Sequence, residues 1–122
     1  MNSSNSILYN KSYAFAVDVV KFYKENYQVK YSDIFRQLLK SCTSIGANMA
    51  EANGALTQND FSAKVSIAYK EMMEAKYWLM LMRDVDLLND VSYNKFLDHI
   101  NELCKIAFTI LKTTGRINIK KE

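Results

Sequence analysis

The chain has 122 residues and a net charge of +3; it contains no proline and only three glycines, and is 49% apolar and 24% charged. That balance excludes a disordered chain and argues against an all-β fold, whose turns draw on Pro and Gly. The length suits one domain with one core, and no apolar run approaches the roughly 18 residues needed to cross a bilayer.

Helix one is predicted over residues 7–26, where Phe15, Val19 and Phe22 recur at helical spacing with Ala16, Val20 and Tyr23 beside them. Helix two is predicted over 32–54, with Ser32 or Asp33 as its N-cap and Gly54 ending it. Its stripe runs Ile34, Leu38, Ser41, Ile45, Asn48, Ala52. Helix three is predicted over 58–88, with Thr57 at the cap and Asp60 three residues on. Phe61, Val65, Ala68, Met72, Ala75, Leu79 and Met82 keep a four-three alternation, the strongest periodic signal in the chain. Helix four is predicted over 92–114, capped by Asp90 or Ser92 and stopped by Gly115, with Phe96, Ile100, Leu103, Ala107 and Ile110 as its stripe. A basic tail, 115–122, follows. Short connections between long helices imply antiparallel neighbours. The expected fold is all-α, a single-domain antiparallel up-down-up-down four-helix bundle.

Helix three has more apolar surface than such a core consumes. A second line, Ile67, Trp78, Leu81, Val85 and Leu88, lies beside the main stripe. A bundle helix ordinarily buries one face and solvates the other, so either helices one and four overlap more of helix three than usual, or a second copy covers this line. The four residues Ile67, Trp78, Leu81 and Val85 are therefore candidates for an oligomer interface.

Two stretches, SIGANMAEA at 44–52 and DFSAKVSIAYKEMMEAKYWLMLM at 60–82, resemble the signature of a bacterial four-helix bundle family. The family was first met in open reading frames within intervening sequences of 23S rRNA genes and is sometimes labelled ribosomal on that account. It is also similar to the accessory protein of diversity-generating retroelements. The matching positions are Ser44, Ile45, Asn48, Ala50, Glu51, Phe61, Ile67, Ala68 and Glu74, whereas Ala52 stands where many members have glycine. The resemblance implies a ring-like homopentamer and no known enzymatic activity. For the retroelement relatives it implies binding of nucleic acid and of a reverse transcriptase through a basic surface.

Within SIGANMAEA, Ser44, Asn48 and Glu51 share one helical face and form a polar edge among small residues. Buried polar groups are tolerable only with partners, and a partnered layer disfavours slipped registers, so these three are expected to align helices or subunits. Antiparallel register places Lys64 or Arg116 opposite Glu51, and Tyr9, Ser66, Thr113 or Thr114 near Asn48.

No cofactor or metal site is expected. A di-metal bundle needs two Glu-x-x-His pairs and the chain has one histidine, His99, beside the helix-four stripe. No arginine precedes His99 at the spacing of HEPN-type ribonucleases, and Cys42 and Cys104 sit in apolar lines as free thiols. A non-enzymatic bundle is the favoured expectation; the alternative is a nuclease-like or toxin-related helical enzyme. The N-terminus has no basic segment ahead of an apolar core, so a cytoplasmic location is expected.

The charge is uneven: residues 1–40 sum to +3, 41–90 to −3 and 91–122 to +3. Lys21, Lys24, Lys30 and Arg36 lie among Tyr23, Tyr27 and Tyr31, and Lys112, Arg116, Lys120 and Lys121 make a second basic run. Rings beside cations suit single-stranded bases, so these eight are candidates for RNA or DNA contact, or for a protein partner. The other reading is a solvated face whose lysine stems cover apolar surface.

Overall fold

The computed structural model describes residues 3–117. It contains four α-helices: α1 Ser3–Asn26, α2 Ser32–Asn53, α3 Gln58–Asp84 and α4 Asp90–Thr113, with one 3-10 turn at Val29–Tyr31. Each helix packs on its neighbours in sequence, and α1 also packs on α4; among the described residues α1 does not meet α3, nor α2 meet α4. That pattern is a square antiparallel bundle with α1 and α3 on one diagonal. No helix is long and apolar enough to cross a membrane among the described residues.

The helix stripes supply the core. Phe15 and Val19 from α1, Leu38, Ser41 and Ile45 from α2, Val65 through Met82 from α3, and Phe96 through Ile110 from α4 are all buried. One stripe is rotated from its expected line. In α2 the core also takes Phe35, Cys42 and Met49, while Ile34 and Asn48 stand at the boundary. Met49, not Asn48, fills the layer, because the wider apolar arc of α2 includes the residue that follows Asn48 in sequence.

Caps account for most boundary differences. Thr57 caps α3 as expected, its hydroxyl accepting from the Asp60 N–H at 3.0 Å. At α4 the cap is Asn89, whose Oδ1 accepts from the Ser92 N–H at 2.8 Å, so neither Asp90 nor Ser92 serves and the helix begins two residues early. At α2 Tyr31 occupies the cap position without a side-chain bond, because the preceding 3-10 turn runs directly into the helix; Ser32 and Asp33 lie inside it. Gly54 ends α2 with φ −92°, so it does so without the left-handed conformation.

Helix α3 stops at Asp84, four residues short of its predicted end at 88. Asp86 adopts φ 63°, the Asp86 N–H donates to the Arg83 carbonyl at 3.1 Å, and the Leu87 N–H donates to the Met82 carbonyl at 2.8 Å. These two bonds are a Schellman stop. Asp, whose short polar side chain tolerates the left-handed region, takes the place usually held by glycine. The turn carries Leu88 back into the core, where it is 3% exposed, and so removes it from the second apolar line of α3.

A second Schellman stop closes α4. Gly115 has φ 78°, and the N–H groups of Gly115 and Arg116 donate to the carbonyls of Lys112 and Leu111. This turn aims Arg116 at the first turn of α3. Its Nε donates to Ser62 Oγ at 3.2 Å, and one Nη donates to the Asn59 carbonyl at 2.9 Å and to Asn59 Oδ1 at 2.8 Å.

Candidate assembly face and nucleic-acid residues

The outer surface where α2 and α3 run side by side brings two of the predicted residue sets together. Glu51 of α2 and Lys64 of α3 pair at 3.0 Å, level with each other across the two helices. Arg116, the other proposed partner, is taken by Asn59 and Ser62 instead. Asn48 is half-buried and donates to the Ser44 carbonyl one turn back at 2.8 Å. None of the hydroxyls proposed for it from other helices is its partner, so the amide is satisfied within α2. The polar edge therefore reaches α3 through Glu51 and through the Ser44 hydroxyl beside Glu71, while Asn48 closes on its own helix.

Farther along this face the carboxylates of Glu71 and Glu74 lie one turn apart on α3. Burial and then the neighbouring Glu74 charge push the Glu71 carboxyl up, while Lys40 and the Ser44 hydroxyl from α2 pull it part of the way back. Lys70 and Lys76, which flank this pair in sequence, form no salt bridge with it among the described residues; Lys40 from α2 offsets part of its charge. The neutral acid is the form the fold accommodates better. Its stabilising contribution is fully present below the ordinary carboxylate pKa and fades as pH rises through the raised one. At protein concentrations where protomers are separate, Glu71→Gln should raise the melting temperature near pH 7 and flatten its decline just above the usual carboxylate range. An unchanged pH profile would contradict this.

The four interface candidates remain at the surface to different degrees. Ile67 is 42% and Val85 49% exposed, while Trp78 and Leu81 are half-buried. Trp78 lays one edge on the core, donates its Nε1–H to Glu74 Oε1 at 3.3 Å and meets the Tyr77 ring edge-on at 5.0 Å.

The basic candidates do not form one patch. Lys21, Lys24, Lys30 and Arg36 cluster at the end of the bundle where α1 runs into α2, all exposed. Lys112 and Arg116 lie at the opposite end, about 35 Å away along helices of this length. Arg116 is spent on α3, and Lys120 and Lys121 lie outside the described residues. The rings expected to stack on bases are largely committed: Tyr23 and Tyr27 contact each other at 4.8 Å and pack on the core, Tyr27 also against Phe35. Tyr31 is 39% exposed, with Lys30 Nζ 5.7 Å from its ring centre.

This arrangement of four helices, with the polar edge on α2 and the two-faced α3, can be set beside known proteins. The profile of the 23S rRNA-intervening sequence protein family matches residues 4–109. The chain belongs to that family. It is also similar to a crystal structure of a protein of unknown function from the S23 ribosomal protein family of Bacteroides thetaiotaomicron, at 34% identity and a TM-score of 0.84. That similarity covers 89% of this chain and 98% of the other. No curated protein matches.

In this 23S rRNA-intervening sequence protein the groups weighed for catalysis are held in the bundle. His99 is half-buried and packs edge-on against the Phe15 ring at 5.2 Å. Cys42 is buried and Cys104 half-buried, and both are free; burial drives each thiol's pKa up, away from the thiolate form. No cluster of metal-ligating side chains occurs among the described residues. A cleft of about 680 Å³ opens near the α2–α3 turn, lined by Ala52, Phe61, Ile106, Ile110 and threonines, with Lys105 as its charged group.

Proposed function

We propose that this family member is a non-enzymatic, self-assembling bundle of the cytoplasm, and that its copies gather through the α2–α3 face into a ring, with five copies favoured. The observation that carries the reading is the line along α3 and its C-cap in which Ile67 and Val85 stay open to water beside a half-covered Trp78 and Leu81. Isolated exposed apolar residues are ordinary, but a row of them along one helix of a bundle is suited to a neighbour. The ring would repeat the cations at the α1–α2 end around one rim and so multiply a modest charge into a field that attracts RNA or DNA, or an acidic protein partner.

Size-exclusion chromatography with light scattering tests assembly. The parent chain should elute at several times its 14.1 kDa mass, and Ile67→Glu/Val85→Glu should elute as a folded monomer. A monomeric parent would end the proposal. Labelled single-stranded RNA at low and moderate salt tests the rim. Binding should weaken steeply with salt and fall at least tenfold in Lys21→Glu/Lys30→Glu; no binding at low salt would remove nucleic acid from the reading. A metal-supplemented RNA cleavage assay run alongside should show intact RNA.

A further inference from the structure

We propose that the cleft beside the α2–α3 turn is a binding site for a small aromatic carboxylate that carries a ring N–H. The site belongs to the single protomer and does not rest on self-assembly. The cleft follows from the layout of the bundle: α2 and α4 lie on a diagonal and do not meet among the described residues. The buried residue that α2 brings to this wall is Ala52, whose methyl leaves the space toward α4 unfilled. Its volume of about 680 Å³ falls within the range of small-molecule sites, about 300–1,000 Å³.

The wall selects a flat apolar body. Phe61 of α3 and Ile106 of α4 are half-buried against the core, and Ile110 beside them is buried. They offer one ring and two branched side chains, surfaces on which an aromatic ring packs well. Leu56, in the turn, is 95% exposed on the same wall, and a seated ring would cover part of it. Charge selects the head group. Among the described residues no acidic side chain lines the cleft and Lys105 is its one cation. Lys105 forms no salt bridge among the described residues, and Glu102, one turn before it, is paired with Lys11 at 3.2 Å. One unpaired cation with no anion beside it suits a ligand carrying a single negative charge.

The hydrogen-bonding groups of the wall supply the rest. Asn53 lines the cleft, and its Oδ1 is shut off from water with no partner among the described residues. An amide oxygen so placed needs a donor, and the soft terminal torsion of asparagine lets it turn toward one. Thr109 and Thr114 spend their hydroxyl hydrogens on the carbonyls of Lys105 and Leu111, at 3.0 and 3.2 Å. Toward the cleft these two hydroxyls can only accept. Thr57 is the converse: its hydroxyl accepts from the Asp60 N–H at 3.0 Å, which leaves its own hydrogen to donate. Acceptors in want of an N–H, and donors suited to a carboxylate, therefore line one apolar space.

Indoleacetate, with one flat ring system, one N–H and one carboxylate, is the probe. Titrated to millimolar concentration, it should shift the methyl NMR signals of Ile106 and Ile110 saturably and leave Ile67, outside the cleft, unmoved. N-methylindoleacetate, which lacks the N–H, should bind at least threefold more weakly. Tryptamine, which carries a cation on the same ring system, should bind at least tenfold more weakly. Lys105→Glu, a change at an exposed position, should keep the parent's melting temperature and reverse the order of indoleacetate and tryptamine. No saturable shift, or a shift of Ile67 as large as that of Ile106, overturns the site. Equal binding of the N-methyl probe, or an order that Lys105→Glu leaves unchanged, overturns the assigned ligand class. Self-assembly is read separately, by light scattering of the parent, so either reading can fail alone.

Discussion

Phe15→Ala is expected to cost about 3–5 kcal/mol, the range for removing a fully buried ring from a close-packed core. Phe15 is 0% exposed and meets Phe96 edge-on at 6.2 Å and His99 at 5.2 Å. Both contacts join α1 to α4, the adjacent helix pair that no loop connects directly. Every other adjacent pair is held by a short connection as well as by packing, so the α1–α4 seam depends on side chains alone. Phe22 continues the seam, packing on Phe96 at 5.7 Å, but it is half-buried and cannot fill the space left by Phe15. The measurement is the urea midpoint at one fixed protein concentration, since assembly adds its own stabilisation. A loss below about 1 kcal/mol would mean the seam collapses around the vacancy more readily than a core normally does.

Gly46 should give opposite signs for two substitutions. Gly46→Ala is expected to gain up to about 1 kcal/mol, because glycine in a helix interior is disfavoured by about that much relative to alanine. A Cβ there would meet the Ser12 carbonyl at 3.7 Å, an ordinary contact. Gly46→Leu is expected to lose about 1–3 kcal/mol, because a longer side chain must push α1 away from α2. Ser12 is itself buried, with no hydrogen-bond partner for its hydroxyl, and its small size is what the crossing uses. Chemical denaturation of both variants decides the matter. A stable Gly46→Leu protein would show that the crossing has slack and that glycine is not needed for the approach.

The periodic stripes were legible because a helix buries a face at fixed spacing, and Val65, Ala68, Met72, Ala75, Leu79 and Met82 are all buried where the alternation places them. The Glu51–Lys64 pair was legible too, since an antiparallel turn of known centre fixes which residues are level. Other features depend on atoms that a spacing does not contain. Asn48 sat one residue from the true core line, and its amide found a carbonyl in its own helix. The end of α3 carried no glycine, so its stop at Asp86 resembled a continuing helix. The basic residues read as one run on each of two segments, yet the topology sends those segments to opposite ends and Arg116 to a structural tie. The rings between the lysines gave no sign that Tyr23 and Tyr27 would pack inward. Candidate surfaces are thus less legible than the core, because exposure is decided by which neighbour arrives and not by local pattern.

The neighbour-to-neighbour order of the helices has a kinetic consequence. Three of the four helix contacts join segments adjacent in the chain, and only the α1–α4 seam closes a long loop. Chains so wired fold in microseconds to milliseconds. At micromolar concentration, ordinary encounter between proteins takes about 0.1–10 s. Each molecule should therefore be finished before it meets another, and regain of light scattering after dilution from urea should lag far behind regain of helicity and quicken as more protein is added.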